Sequence, residues 1–129
     1  MDLISNTANK YSGNETILIV DDETALRNML HETLSNYGYR LLQASSAEHA
    51  LNFLKSNAID LLISDVAMPE MDGYQLAHKV NELYPHVKVQ LVSGYSDKVE
   101  GNKVLHKKIL YKPYNTVELL KRIRDILDN

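Results

Sequence analysis

Cysteine and tryptophan are absent from this 129-residue sequence, phenylalanine occurs once, and glycine and proline are scarce at five and three residues. Without cysteine there are no disulfides, no thiolate metal sites and no sulfur nucleophile. No apolar run approaches the roughly 20 residues that span a bilayer. The leader Met1 to Asn14 lacks the apolar stretch of a secretion signal. A basic excess is missing too: the net charge of −3 argues against a nucleic-acid surface. These absences fit a cytoplasmic protein with no direct partner in nucleic acid or membrane.

What remains is ordinary globular composition, 44% hydrophobic and 24% charged, in a length suited to one core. Residues 1–14 carry Ser5, Asn6, Thr7, Asn9, Ser12, Gly13 and Asn14 and read as a polar leader or linker. The folded domain is expected over 15–129.

Within that span, apolar runs and helical periodicities alternate. A first strand at about 16–21 precedes a helix with Leu26, Met29, Leu30 and Leu34 facing inward, Asp22 as its N-cap and Gly38 as its stop. Tyr39–Ala44 reads as a second strand. Ser45 and Glu48 have capping-box spacing before a helix with Ala47, Ala50, Leu51 and Leu54 inward. A third strand spans about 59–64, and a helix from about Gly73 turns Leu76, Val80 and Leu83 inward before Pro85. The fourth strand, Val87–Ser93, alternates apolar residues with Lys88 and Gln90, as near a sheet edge. Ser96–His106 makes a poor helix, broken by Gly101-Asn102. The fifth strand, 108–111, is short. Asn115 and Glu118 cap a last helix with Val117, Leu120, Ile123 and Leu127 inward. Five strands alternating with five helical segments give an α/β fold, a doubly wound five-stranded parallel sheet with helices on both faces.

Three strand ends carry charge. Ile17–Val20 stops at Asp21-Asp22-Glu23, Leu61–Ser64 stops at Asp65, and Ile109–Tyr111 stops at Lys112-Pro113. Parallel strands present the same end to one edge, so the acids and the lysine should converge there. Taken singly, Asp21-Asp22 is as well explained by a helix cap, Asp65 by a turn and Lys112 by a solvated strand end. Their coincidence at matching strand ends points instead to a site for a cation and a phosphate.

The ordered motifs resemble the receiver domain of two-component signalling over about residues 16–128. They are Asp21-Asp22, Asp65, Met68-Pro69 with Asp72-Gly73, Ser93-Gly94 and Lys112-Pro113. The resemblance implies a flavodoxin-like strand order 2-1-3-4-5, with Asp65 as the phosphorylated aspartate. Asp21, Asp22, Asp65 and the backbone carbonyl of Ala67 would hold Mg2+, with Mn2+ as a substitute; Asp21 would act mainly through metal-bound water. Ser93 and Lys112 would contact the phosphoryl group, and Lys112-Pro113 would be a cis bond. The chemistry is coherent on its own terms: a carboxylate can be a covalent nucleophile, and a divalent cation removes the repulsion that three acids offer to an incoming phosphate.

Three departures from the family pattern stand out. Ile109 occupies the position, three before the lysine, where the family usually has a switching aromatic; Tyr111 shares its strand parity. Gly94 follows Ser93 where alanine is common. Tyr95 near the site, together with Ala67 in place of a polar residue, implies slow loss of the phosphoryl group. Ser93-Gly94-Tyr95 and the broken fourth helical segment are similar to receivers carried by hybrid histidine kinases.

The expected function is therefore a phosphoacceptor in a phosphorelay. It would take a phosphoryl group from a histidine kinase or histidine phosphotransfer protein and catalyse only its own phosphorylation and slow dephosphorylation. The change would be read by a downstream protein or domain through the face formed by the fourth helix, fifth strand and fifth helix. The alternatives are a phosphorylation-independent interaction module on the same fold and an aspartyl-phosphate phosphatase. The latter typically has a second aspartate where Ala67 stands. A stand-alone regulator and a receiver within a longer chain both remain open.

Overall fold

Strand and helix alternate because short apolar runs alternate with segments whose apolar residues recur at helical spacing. The computed structural model describes residues 10–94 and 109–129. Its strands are β1 (Thr16–Val20), β2 (Arg40–Ala44), β3 (Leu61–Asp65), β4 (Lys88–Ser93) and β5 (Ile109–Tyr111). The helices are α1 (Thr24–Ser35), α2 (Ala47–Ser56), α3 (Gly73–Leu83) and α4 (Thr116–Leu127). All strand pairs are parallel, in the order β2-β1-β3-β4-β5. The expected sheet and strand order are present. The weak helix expected over Ser96–His106 lies outside the described residues.

Alternation along the strands sends side chains to two cores. Leu18, Val20, Ala44 and Leu62 pack on Ala47, Ala50 and Leu54 of α2 and Leu76 and Val80 of α3. Ile17, Ile19, Leu61, Ile63, Val92 and Leu110 pack on Leu34 of α1 and Leu119, Leu120 and Ile123 of α4. Each fully buried aliphatic side chain contributes about 1.5–3 kcal/mol before the entropy of ordering is counted. Among the described residues no helix is long and apolar enough to cross a membrane.

Several local expectations shift. Met29 is 61% exposed, Leu83 56% and Val117 50%, so all three face solvent and not the core. Met29 sits one residue from the inward line of Leu26, Leu30 and Leu34, Leu83 is the last residue of α3, and Leu119 takes the inward place expected of Val117. Asp22 does not cap α1: Glu23 is the N-cap without a side-chain bond, and Asp21 Oδ1 instead accepts the Glu23 amide at 2.9 Å. α1 ends at Ser35, and Gly38 makes the following turn with φ 95°. Ser46, not Ser45, caps α2 by accepting the His49 amide, while the Ser45 amide donates to His49 Nδ1. Gln90 is buried, its amide donating to the Leu91 carbonyl, because β4 lies inside the sheet and β5 forms the edge.

Packing also starts before β1. Tyr11 packs against the α1/α4 core, its carbonyl accepts the Tyr39 hydroxyl at 2.9 Å, and the Gly13 amide donates to the Tyr37 carbonyl at 3.0 Å. Arg124 of α4 ties this segment down with two 2.9 Å bonds to the Glu15 carboxylate and further bonds to Asp128 and Tyr39. A Cβ at Gly13 would overlap the side chains of Arg124, Glu15 and Tyr39, which would have to move to admit it.

Candidate functional site: an acidic cluster at the strand ends

Register builds the site. Val20 pairs with Ser64, so Asp21 emerges beside Asp65; Ser93 pairs with Tyr111, so Lys112 follows at the same edge. Backbone bonds carry the alignment past the strands. The Asp21 amide donates to the Ala44 carbonyl at 3.2 Å, and the Lys112 amide to the Ser93 carbonyl at 2.8 Å. The loop after β3 returns through α3, whose N-cap Asp72 accepts the Gln75 amide while the Asp72 amide donates to Gln75 Oε1. Gly73 then donates its amide to the Val66 carbonyl at 2.8 Å. A Cβ at Gly73 would overlap the Asp65 carbonyl oxygen, so the helix reaches the acid's backbone only because this residue is glycine.

The side chains meet as the strand ends suggested. One ligand atom from each of Asp21, Asp22 and Asp65 lies within 4.8 Å of the others. Lys112 Nζ stands 3.6 Å from Asp65 Oδ1 and 3.9 Å from Asp21 Oδ2. Asp21 and Asp65 are buried while Asp22 is exposed, so the cluster is half sunk with one open side. Ser93 is fully buried at the next strand end, its hydroxyl donating to the Gly94 carbonyl at 3.1 Å. Ala67 lies in the loop after Asp65 and is exposed. The Lys112-Pro113 bond is cis, as the resemblance implied. Tyr95 lies outside the described residues.

Electrostatics follow from this crowding. Burial raises the Asp21 pKa above its ordinary value and the charges of Asp22 and Glu23 add to the effect, against the Glu23 amide and Lys112, which lower it. Crowded, partly desolvated carboxylates with an open side suit a hard divalent cation, which prefers oxygen ligands. Among the described residues this is the one group of three acids or histidines with metal-binding geometry. His49 is occupied by the Ser45 amide and the Phe53 ring, and His78 and His86 are exposed.

Two neighbours escaped sequence reasoning. Tyr114 shares with Asp21, Asp65 and Lys112 a cavity of about 240 Å³ between α1 and α4. Burial raises its hydroxyl pKa, and the charges of Asp21 and Asp65 raise it further. An aromatic two residues beyond Lys112 was the available signal. Arg27, in the first turns of α1, donates to the Asp21 carbonyl at 2.6 Å. A lone basic residue five positions past an acidic pair gives no such signal, because that bond goes to the backbone.

On the opposite side of β5, Ile109 is buried with Val66 and Leu91, and Tyr111 and Tyr74 pack against the same cluster. Tyr111 thus shares the surroundings of Ile109, as strand parity required.

Comparison with known proteins identifies the family and the fold. Residues 17–124 match the family described as response regulator receiver domain. The chain is 38% identical over 115 residues to the transcriptional regulatory protein YvrH of Bacillus subtilis, covering 86% of this chain and 48% of that protein. It is 33% identical over 126 residues to the sensor kinase CckA of Brucella abortus, covering 94% of this chain but 13% of the kinase. The chain therefore spans about half the length, or less, of these curated relatives. Among solved structures, a CheY-like receiver domain protein from Methanospirillum hungatei superposes with a TM-score of 0.81 at 31% identity, covering 90% of this chain and 95% of that one.

Proposed function

This chain belongs to the response regulator receiver family of two-component signalling, and from that premise we propose that Asp65 accepts a phosphoryl group from a phosphohistidine. The observation that carries the reading is the convergence of Asp21, Asp22 and Asp65 within 4.8 Å, with Lys112 at 3.6 Å from Asp65. Asp21, Asp22, Asp65 and the Ala67 carbonyl would hold Mg2+. When bound, Mg2+ supplies neutralisation of the acids and of the phosphoryl oxygens, with Mn2+ a workable substitute.

The chain's own residues do the rest. A carboxylate oxygen of Asp65 attacks phosphorus in line with the imidazole nitrogen; the O–P bond forms as the P–N bond breaks, and the imidazole leaves. Lys112 pairs with the charge gathered on the phosphoryl oxygens. The Ser93 hydroxyl exchanges the Gly94 carbonyl for a phosphoryl oxygen. Ala67 offers no polar group to a hydrolytic water, which favours slow loss of the phosphoryl group. Ser93 and Tyr111 are paired across β4 and β5, so movement at Ser93 and Lys112 biases the edge of the sheet and the adjoining helix that a partner reads.

The donor is a histidine kinase or a histidine phosphotransfer protein, the setting is the cytoplasm, and residues 15–129 form the phosphoacceptor unit. The test is incubation with Mg2+ and a small phosphoramidate, followed by intact mass. One stable added phosphoryl group supports the reading. No adduct supports a phosphorylation-independent interaction module, and steady release of phosphate from esters supports a phosphatase.

A further inference from the structure

The peptide joining Asp21 to Asp22 has an unusual anchor. β1 ends at Val20, so the Asp21 carbonyl lies beyond the strand that would have paired it. The Arg27 guanidinium takes that carbonyl with a 2.6 Å bond from Nη1. Its Nε donates at 3.2 Å to Gln43 Oε1 on β2, and Nη2 donates to Thr24 Oγ1 at 3.3 Å. Gln43 is held in turn, its Nε2 donating to Asn28 Oδ1 at 3.3 Å. One half-buried side chain thus links the acidic loop, α1 and β2.

A peptide is planar, so fixing a carbonyl fixes the plane and both Cα atoms that it joins. Here those Cα atoms carry the two carboxylates of the pair. We propose that Arg27 is a positioning residue for the cation site. Its guanidinium sets the Asp21–Asp22 peptide plane and so the angle at which the two carboxylates meet a divalent cation. The inference rests on the reading of the acidic cluster as a cation site.

Positioning and charge act in opposite directions, which makes the role measurable. A guanidinium beside a cation site repels the cation, so removing it tightens binding if charge is all that Arg27 contributes. If the residue orients the ligands, removing it weakens binding by about tenfold, as for other groups that orient metal ligands from behind. Lysine keeps the charge but lacks the planar fork that reaches the Asp21 carbonyl, Gln43 and Thr24 together.

The experiment is calorimetric titration of the full chain with Mg2+ alone, at constant ionic strength, on wild type, Arg27→Met, Arg27→Lys and Gln43→Leu. The expected result is about tenfold weaker binding in both Arg27 variants, and a smaller loss in Gln43→Leu, which changes no charge. Urea midpoints close to wild type show that the fold is retained. Should Arg27→Met fail to fold, the neutral Gln43→Leu variant decides by the same sign. Unchanged or tighter Mg2+ binding in the folded variants overturns the positioning role while leaving the cation site standing. Absence of binding by wild type overturns both, and that titration alone separates the two failures.

Discussion

Lys112 Nζ lies 3.6 Å from Asp65 Oδ1, within ion-pair range but beyond an ordinary hydrogen bond. It stands 3.9 Å from Asp21 Oδ2 as well, so one ammonium is shared between two buried carboxylates without being committed to either. Such a contact is easily exchanged, which suits the role proposed for Lys112, pairing with a newly added phosphoryl oxygen.

On the proposed function, Lys112 competes with a cation and assists a phosphate. Lys112→Met is expected to bind Mg2+ several-fold more tightly, because a like charge is gone. It is also expected to accept phosphate from a small donor at least about tenfold more slowly. Calorimetry and time-resolved intact mass measure the two effects. Loss of both together would mean that Lys112 holds the site's shape rather than its charge balance.

The buried charge at Asp21 costs stability. Its pKa is raised in the folded state, so its contribution is most favourable below the unfolded value and is lost as pH rises through the folded one. Asp21→Asn is accordingly expected to stabilise the metal-free protein at neutral pH by about 1 kcal/mol. The advantage should disappear below the ordinary aspartate range, where both proteins are neutral at this position. Urea midpoints in the presence of a chelator at neutral and acid pH test the sign.

Gly73 is the point where α3 touches the backbone of Asp65. Gly73→Ala is expected to cost about 1–3 kcal/mol, since the overlap is with backbone that cannot rotate away. Mg2+ affinity should fall as well. Chemical denaturation and Mg2+ titration of the same sample distinguish a local displacement of Asp65 from general loosening.

At the other end of the sheet, the Arg124 clamp has the opposite pH sign to Asp21. The hydrogen bonds from Arg124 hold the Glu15 pKa below its ordinary value, so the stabilisation is present above the unfolded pKa and lost as pH falls through the folded one. Glu15→Gln should flatten the acid limb of the stability profile. Both carboxylate and guanidinium are largely but not fully buried, and the expected cost at neutral pH is about 1 kcal/mol.

The sheet and the edge where the charges gather were legible because each rests on a repeated pattern: apolar runs, helical spacing and charge at matching strand ends. Asp21, Asp22, Asp65 and Lys112 could be assigned to that edge for this reason, and Ser93 through the family resemblance. Beyond the helix caps, where Glu23 and Ser46 stand in place of Asp22 and Ser45, the differences are of two physical kinds. Met29, Leu83 and Val117 have the apolarity of core residues but lie exposed at the rim or end of their helices, where periodicity cannot separate the edge of the apolar face from its centre. Arg27, Gly73 and the Arg124 clamp act through backbone atoms or residues distant in the chain, and a single sequence does not display such contacts.

The central claim is that Asp65 is the phosphoacceptor, and reductive trapping tests it most directly. After reaction with a phosphodonor and Mg2+, borohydride reduces an acyl phosphate to the alcohol, so a phosphorylated aspartate is read as homoserine by peptide mass mapping. The expected result is homoserine at position 65 alone, dependent on Mg2+ and absent from Asp65→Asn. Homoserine at Asp21 or Asp22, or a phosphoryl adduct persisting in Asp65→Asn, would contradict the assignment.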